Sequence, residues 1–104
     1  MNNKTITISI PHRLGQEEAR KRLQAGVAEM RNKYSSHIAN VAETWNQNRM
    51  EFRMSVMSQT ITGRAEVLAD AVKLEIDLPW LVATLAEQLR PRIEEEGRRI
   101  LEQK

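Results

Sequence analysis

Residues 50–56, Met-Glu-Phe-Arg-Met-Ser-Val, decide the fold because apolar and polar side chains alternate strictly along them. This period of two is typical of a β-strand with one face buried and the other in water. A second run of this kind covers residues 72–78, and an isoleucine-rich third covers residues 5–10. The sequence therefore predicts a sheet with one apolar face.

The rest of residues 37–78 follows the same alternation in a weaker form. Turn residues separate the runs at 46–48, at 57–59 and at 69–70. In the run that ends near Trp45, Glu43 interrupts the apolar parity. Four strands joined by such short connections predict an antiparallel meander.

Two segments have helical periodicity instead. From Gln16 the apolar residues recur at steps of three and four, which predicts one amphipathic helix: Ala19, Leu23, Val27, Met30 and Tyr34. A second helix begins at Pro79, which suits a first helical position because its missing N–H would be unpaired there. Pro91 conflicts with a straight helix, so we expect a kink or break around residues 87–91.

The predicted order is β-α-β-β-β-β-α in a single α+β domain that spans residues 1–104. Each strand has one apolar face and each helix one apolar stripe. The economical arrangement is a single antiparallel sheet of about five strands with two helices on one face. By analogy this is a reduced form of the helix-grip arrangement.

Composition excludes several classes of protein. The chain has 104 residues, a formal net charge of +2 and no cysteine, so it has no disulfide framework, thiolate zinc site or cysteine nucleophile. The absence of cysteine suits a reducing cytosol. The first ten residues lack the apolar stretch of a signal peptide. No run approaches the ~20 apolar residues of a membrane span, so we expect no transmembrane segment.

The basic excess lies in residues 1–36, which carry a net charge of +4. Part of it is matched by acid-first pairs four residues apart, Glu17 with Lys21 and Glu18 with Arg22, which are typical of a solvated helix face. Nucleic acid is therefore an unlikely partner. It stays a third hypothesis that rests on the following residues: Arg13, Arg20, Lys21, Arg31 and Lys33.

No catalytic constellation is present. His12 and His37 are the two histidines, and neither belongs to a metal-binding spacing. No serine stands in a nucleophile elbow, and the four glycines form no phosphate loop. We therefore expect no enzyme, cofactor or metal. His12, between Pro11 and a helix start, could bind an anion or act as an acid or base if folding or a second subunit supplies a partner. Otherwise it packs or caps the connector.

Large apolar residues supply the candidate contact sites: Trp80, Trp45, Met54 and Met57. Methionine and tryptophan could line an adaptable pocket or adsorb to a hydrophobic surface. The alternative is an ordinary core. Trp80 is the better surface candidate because Leu81, Val82 and Leu85 already supply the helix stripe.

The order of short motifs resembles a known family. The landmarks that carry the resemblance run from residue 4 to about residue 100: Pro11-His12, Leu14-Gly15, Glu18-Ala19, Arg22, Trp45, Phe52, Ile61-x-Gly63, Val67, Val72-x-Leu74 and Leu78-Pro79. This series is similar to that of the small polyhydroxyalkanoic acid system proteins, whose genes lie in bacterial polyester-storage regions. Asn48 departs from it, where an acidic turn residue is expected. The resemblance supplies a context and no catalytic residues.

It implies a non-enzymatic, cytoplasmic, granule-associated protein that acts by contact with the storage granule surface or with a protein. The alternative is a small carrier that holds an acyl-type ligand between sheet and helices. A homodimer is a further expectation, formed by edge pairing or through the open sheet face. The strand at residues 5–10 carries no charge to protect an edge.

Overall fold

A computed structural model describes residues 4–36, 38–56 and 58–102. Met57 and His37 lie outside the described residues. The chain forms five strands and three helical segments in the predicted order: β1 Lys4–Pro11, α1 Gln16–Lys33, β2 Ile38–Asn46, β3 Arg49–Val56, β4 Gln59–Val67, β5 Ala71–Leu78, α2 Trp80–Ala83 and α3 Ala86–Glu102.

The strands form one antiparallel sheet in the order β1-β5-β4-β3-β2. The meander β2 to β5 is continuous, and β1 adds to it beside β5, with Ile6 opposite Ile76. The fold prediction of a single five-stranded antiparallel sheet is confirmed. The first and last strands along the chain are therefore neighbours, and β1 and β2 form the two edges.

The core lies between the helices and the apolar face of the sheet. Alternate side chains of the strands are buried there and pack with residues from the helices: Ile6, Ile8, Ile10, Ala19, Met50, Ala65, Val67, Val72, Ile76, Leu78, Ala86 and Leu101. Two glycines bring the layers close together. A Cβ at Gly26 would lie 2.7–2.8 Å from three side-chain atoms of Ile100, and one at Gly97 would meet the terminal methyl of Ile10. The small residues in both helices thus permit direct helix–sheet and helix–helix packing.

The second helical region is broken earlier than the sequence predicts. The break lies at Thr84–Leu85, and Pro91 sits inside α3. The N–H of Leu89 donates to the carbonyl of Leu85 at 2.9 Å, so a new helix starts there. Pro91 follows soon after this start and removes one hydrogen bond without ending the helix.

A β-bulge changes which residues of β2 share a face. Ala39 pairs with Ser55 and Ala42 with Arg53, so two residues of β2 lie opposite Met54 alone. One of these two is Asn40, which has a positive φ of 54°. The bulge shifts the parity of β2, so Ala39 lies on the open face and not with Trp45. Glu43 does share the helix-facing side with Trp45, where it interrupts the apolar face as the sequence predicts.

Candidate functional site

Two of the large exposed apolar residues flank the break between α2 and α3. The exposed fraction is 48% for Trp80 and 41% for Leu85, and a third exposed residue, Leu68, lies in the β4–β5 turn. We call the pair Trp80 and Leu85 the α2–α3 corner. Its two side chains have the highest exposed fractions among the described large apolar residues.

Local structure explains why this corner protrudes. β5 ends at Leu78, which is 2% exposed, and the chain returns to the core at Ala86, which is 1% exposed. Between these anchors Pro79 cannot continue the β-ladder, and α2 has a single turn. Trp80 and Leu85 thus occupy a short excursion between two buried points.

The polar groups at this corner differ in whether they have partners. The indole N–H of Trp80 has no hydrogen-bond partner among the described residues. Lys4 lies opposite Leu78 in the register, and its ammonium is 3.6 Å from the carboxylate of Glu87 in α3. The corner therefore offers apolar area and a free donor beside an ion pair.

Trp45, in contrast, is held by its own strand. Its indole Nε1 donates to Oε2 of Glu43 at 2.9 Å, and Arg31 of α1 donates to Oε1 of the same carboxylate at 2.9 Å. The ring also packs partly buried against the core. Glu43 thus links β2 to α1, and the indole donor of Trp45 is already used within β2.

The predicted contact residues do not form one cluster. Met54 is half-buried opposite Ile61, towards the end of the sheet from which Trp80 continues. Trp45 pairs with Met50, near the opposite end. With strands ~4.8 Å apart and ~3.3 Å per residue, Trp45 and Trp80 lie more than about 20 Å from each other. Only Met54 shares an end of the sheet with Trp80.

His12 connects the chain segments that surround it. Leu14 donates its N–H to Nδ1 at 3.2 Å, and Nε2 lies 3.1 Å from the carbonyl of Leu68. Because an amide N–H can only donate, Nδ1 is the acceptor and Nε2 carries the proton. Both ring nitrogens are thus used to hold the β1–α1 connector against the β4–β5 turn.

An ion-pair network lies on the open face of the sheet. The guanidinium of Arg64 donates to Asp77 at 3.0 Å and to Glu75 at 3.3 Å, while Thr5 donates to Asp77 at 2.8 Å. The hydrogen bonds from Arg64 and Thr5 lower the pKa of Asp77, although partial burial opposes this. The network joins β1, β5 and β4, and its charges satisfy one another.

The described residues show two depressions, and both open to solvent. One, of about 420 Å³, lies on the open sheet face between Thr44, Glu51, Arg53 and Arg64. The other, of about 340 Å³, lies beside the β2–β3 turn. The second also includes Gln16, the first residue of α1.

Most of the charged residues of α1 are compensated by neighbouring charges. Within residues 4–36, 38–56 and 58–102, no group of three or more potential ligand residues could hold a metal ion. No helix in that part of the chain is long and apolar enough to cross a membrane. Basic residues of α1 are paired with acids: Lys21 with Glu17, Arg22 with Glu18, Arg31 with Glu43 and Lys33 with Glu96.

Sequence reasoning missed the role of Glu43 and the partner of Arg64. A carboxylate two residues before a tryptophan on one strand was a usable signal, because both side chains share a face. The cross-strand partners of Arg64 had no such signal, because they depend on the register of β4 against β5.

The comparisons with known proteins identify one family. The family described as "Putative polyhydroxyalkanoic acid system protein" matches residues 6–101. No curated protein and no solved structure matches the chain. The match covers nearly all of the fold, including the α2–α3 corner.

Proposed function

The chain belongs to the polyhydroxyalkanoic acid system protein family, and we propose that it works in polyester storage as a non-enzymatic contact protein in the cytoplasm. In this proposal the α2–α3 corner adsorbs to the surface of the storage granule. The observation that carries it is the exposure of Trp80 and Leu85 at a single corner.

The chemistry of the polymer supports this choice of surface. A polyester of hydroxy acids has apolar chain segments and ester carbonyls, which accept hydrogen bonds but cannot donate them. A complementary protein surface needs apolar area, free donors and no unpaired carboxylate. Trp80 supplies area and a free N–H, and the nearby Glu87 is paired with Lys4.

The size of the effect follows from the exposed area. A fully buried tryptophan covers roughly 200 Å², so covering the exposed half of Trp80 removes about 100 Å² from water. At ~25 cal/mol per Å² this contributes about 2.5 kcal/mol, or about seventyfold in affinity. One side chain of this kind can decide whether a small protein stays on a surface.

The test is depletion of the purified chain from solution by polyhydroxybutyrate particles, with granules from polyester-producing cells as a second surface. We expect Trp80→Ala to weaken retention by up to about seventyfold. Leu85→Ala should weaken it less, because leucine covers less area. Leu68→Ala is the matched control, since Leu68 is also exposed but lies in the β4–β5 turn.

Equal retention of Trp80→Ala and Leu68→Ala would rule out the corner as the contact. Failure of the unaltered chain to bind either surface would rule out adsorption altogether. In that case, recovery of one defined soluble protein from the same extract would indicate protein contact instead of granule contact.

A further inference from the structure

The two edges of the sheet are not equally open to another strand. In an antiparallel pair, residues that exchange hydrogen bonds alternate with residues whose backbone groups point the other way. His12 donates its N–H to Asp70 at 2.9 Å and so extends the β1–β5 ladder. The backbone groups of the even-numbered residues of β1 therefore bond to β5. Those of the odd-numbered residues point towards the free edge: Thr5, Thr7, Ser9 and Pro11.

The β1 edge is obstructed in two ways. Arg90 of α3 donates to the carbonyl of Thr7 at 2.8 Å, in the middle of the outward-facing series. Pro11 has no N–H to offer at its end. This corrects the expectation that no charge protects this strand: the protecting charge comes from α3. A partner strand on β1 would have to displace Arg90.

The β2 edge has no comparable cover. Val67 donates its N–H to the carbonyl of Asn48 at 2.8 Å, which continues the β3–β4 ladder. Even-numbered residues of β3 therefore bond to β4, and odd-numbered ones bond to β2. As a result, Glu43 and Trp45 point their N–H and C=O groups outwards. No described residue bonds to these groups.

Two features that usually protect an edge are weak here. The bulge is confined to Asn40 and Val41, so residues 42–46 stay in regular register with β3. The inward carboxylate of Glu43 already accepts hydrogen bonds from Arg31 and Trp45. Its charge is therefore compensated within its own chain, and a neighbouring strand would not meet an unpaired acid.

We propose that residues 42–46 of β2 pair antiparallel with the same residues of a second copy of this chain, about a two-fold axis at Thr44. Glu43 then lies opposite the second copy's Trp45, and four backbone hydrogen bonds form. Centring the axis on Glu43 would bring two carboxylates together. Centring it on Ala42 would run the ladder into the bulge.

The pairing is weak by construction. Four hydrogen bonds of ordinary net strength allow a dissociation constant of roughly 1 mM at best, because association also costs translational and rotational freedom. Such an edge leaves the dilute chain monomeric and pairs copies where they are crowded. Because the contact uses β2, it does not cover the α2–α3 corner.

Cysteine cross-linking tests the register, because the chain contains no cysteine. In the proposed pairing, Thr44 lies opposite Thr44 of the second copy, and these two residues exchange no hydrogen bonds with each other. Cα atoms in such a pair lie ~4.5 Å apart, a distance at which a disulfide can close. We expect Thr44→Cys to give a disulfide dimer under mild oxidation. Ala42→Cys and Asn46→Cys should each stay monomeric alone and cross-link when mixed, since these positions face each other.

Ala39→Cys is the control on the same strand beyond the bulge. Equal cross-linking of Ala39→Cys and Thr44→Cys would overturn the register. A monomer at millimolar concentration by sedimentation equilibrium, with no cross-link at Thr44→Cys, would overturn the pairing itself. Circular dichroism of each variant establishes that it is folded, so that a negative result refers to the interface.

Discussion

Gly63 offers a sharp test of the sheet packing. It is buried in β4 opposite Phe52 of β3. A Cβ on Gly63 would clash with Cζ of Phe52 and would lie 2.6 Å from the backbone carbonyl oxygen of Glu75 in β5. The ring can turn away, but the carbonyl belongs to the neighbouring strand and cannot move without disturbing the sheet.

We therefore expect Gly63→Ala to destabilise the fold. Alanine in place of a strand glycine ordinarily gains about 0.5–1 kcal/mol from chain entropy. Overpacking of a filled core costs about 1–3 kcal/mol. The net loss in the free energy of unfolding should be about 1–2 kcal/mol, which lowers the melting temperature by roughly 5–15 °C in a domain of this size.

Urea unfolding followed by circular dichroism measures this loss. Gly97→Ala is the matched control, because the closest atom to its new Cβ is the terminal methyl of Ile10, which can rotate. It should change the stability much less. In a Phe52→Leu background Gly63→Ala should remain destabilising, since the carbonyl of Glu75 is still there. A Gly63→Ala variant as stable as the parent chain would refute the packing argument.

Two further predictions concern charged residues. Asp77→Asn should lower the stability at neutral pH, because Arg64 and Thr5 hold the pKa of Asp77 below its ordinary value. The stabilisation by the lowered pKa is complete above the pKa of the unfolded state and is lost as the pH falls through the pKa of the folded state. The difference in stability between Asp77→Asn and the parent chain should therefore shrink below about pH 4, as urea unfolding at several pH values will show. Arg90→Ala should free the β1 edge and increase self-association in sedimentation velocity, whereas Arg98→Ala on the same helix should not. Unchanged sedimentation of Arg90→Ala would contradict the obstructing role of Arg90.

Local periodicity was enough to predict the strands and the first helix. The alternation in residues 50–56 and 72–78 depends only on side chains two residues apart, and the structure places β3 and β5 there. The placement of β1 beside β5 could not be predicted in this way. This pairing joins residues about 70 positions apart. The local pattern does not tell which edge of the meander the isoleucine-rich strand should join.

Features that depend on a register or on a distant side chain were also beyond the sequence. The bulge at Asn40 puts Ala39 on the face opposite to Glu43 and Trp45, so a strict count of alternation misplaces Ala39. Arg90 donates to the backbone carbonyl of Thr7, and Nε2 of His12 donates to the carbonyl of Leu68. In each case the partner lies more than 50 residues away, so no local pattern contains it.

The two tryptophans show how such details decide what a surface can bind. Both lie near the end of a strand, so residue type and position alone do not distinguish them. Trp45 follows Glu43 by two residues on one strand face, so its N–H has an acceptor as soon as the strand forms. Trp80 follows Leu78, which offers no side-chain acceptor, and Pro79 turns the chain out of the sheet. The indole donor of Trp45 is therefore used within its own strand, whereas that of Trp80 has no partner among the described residues, so of the two tryptophans Trp80 can engage a surface without breaking a hydrogen bond of the described chain.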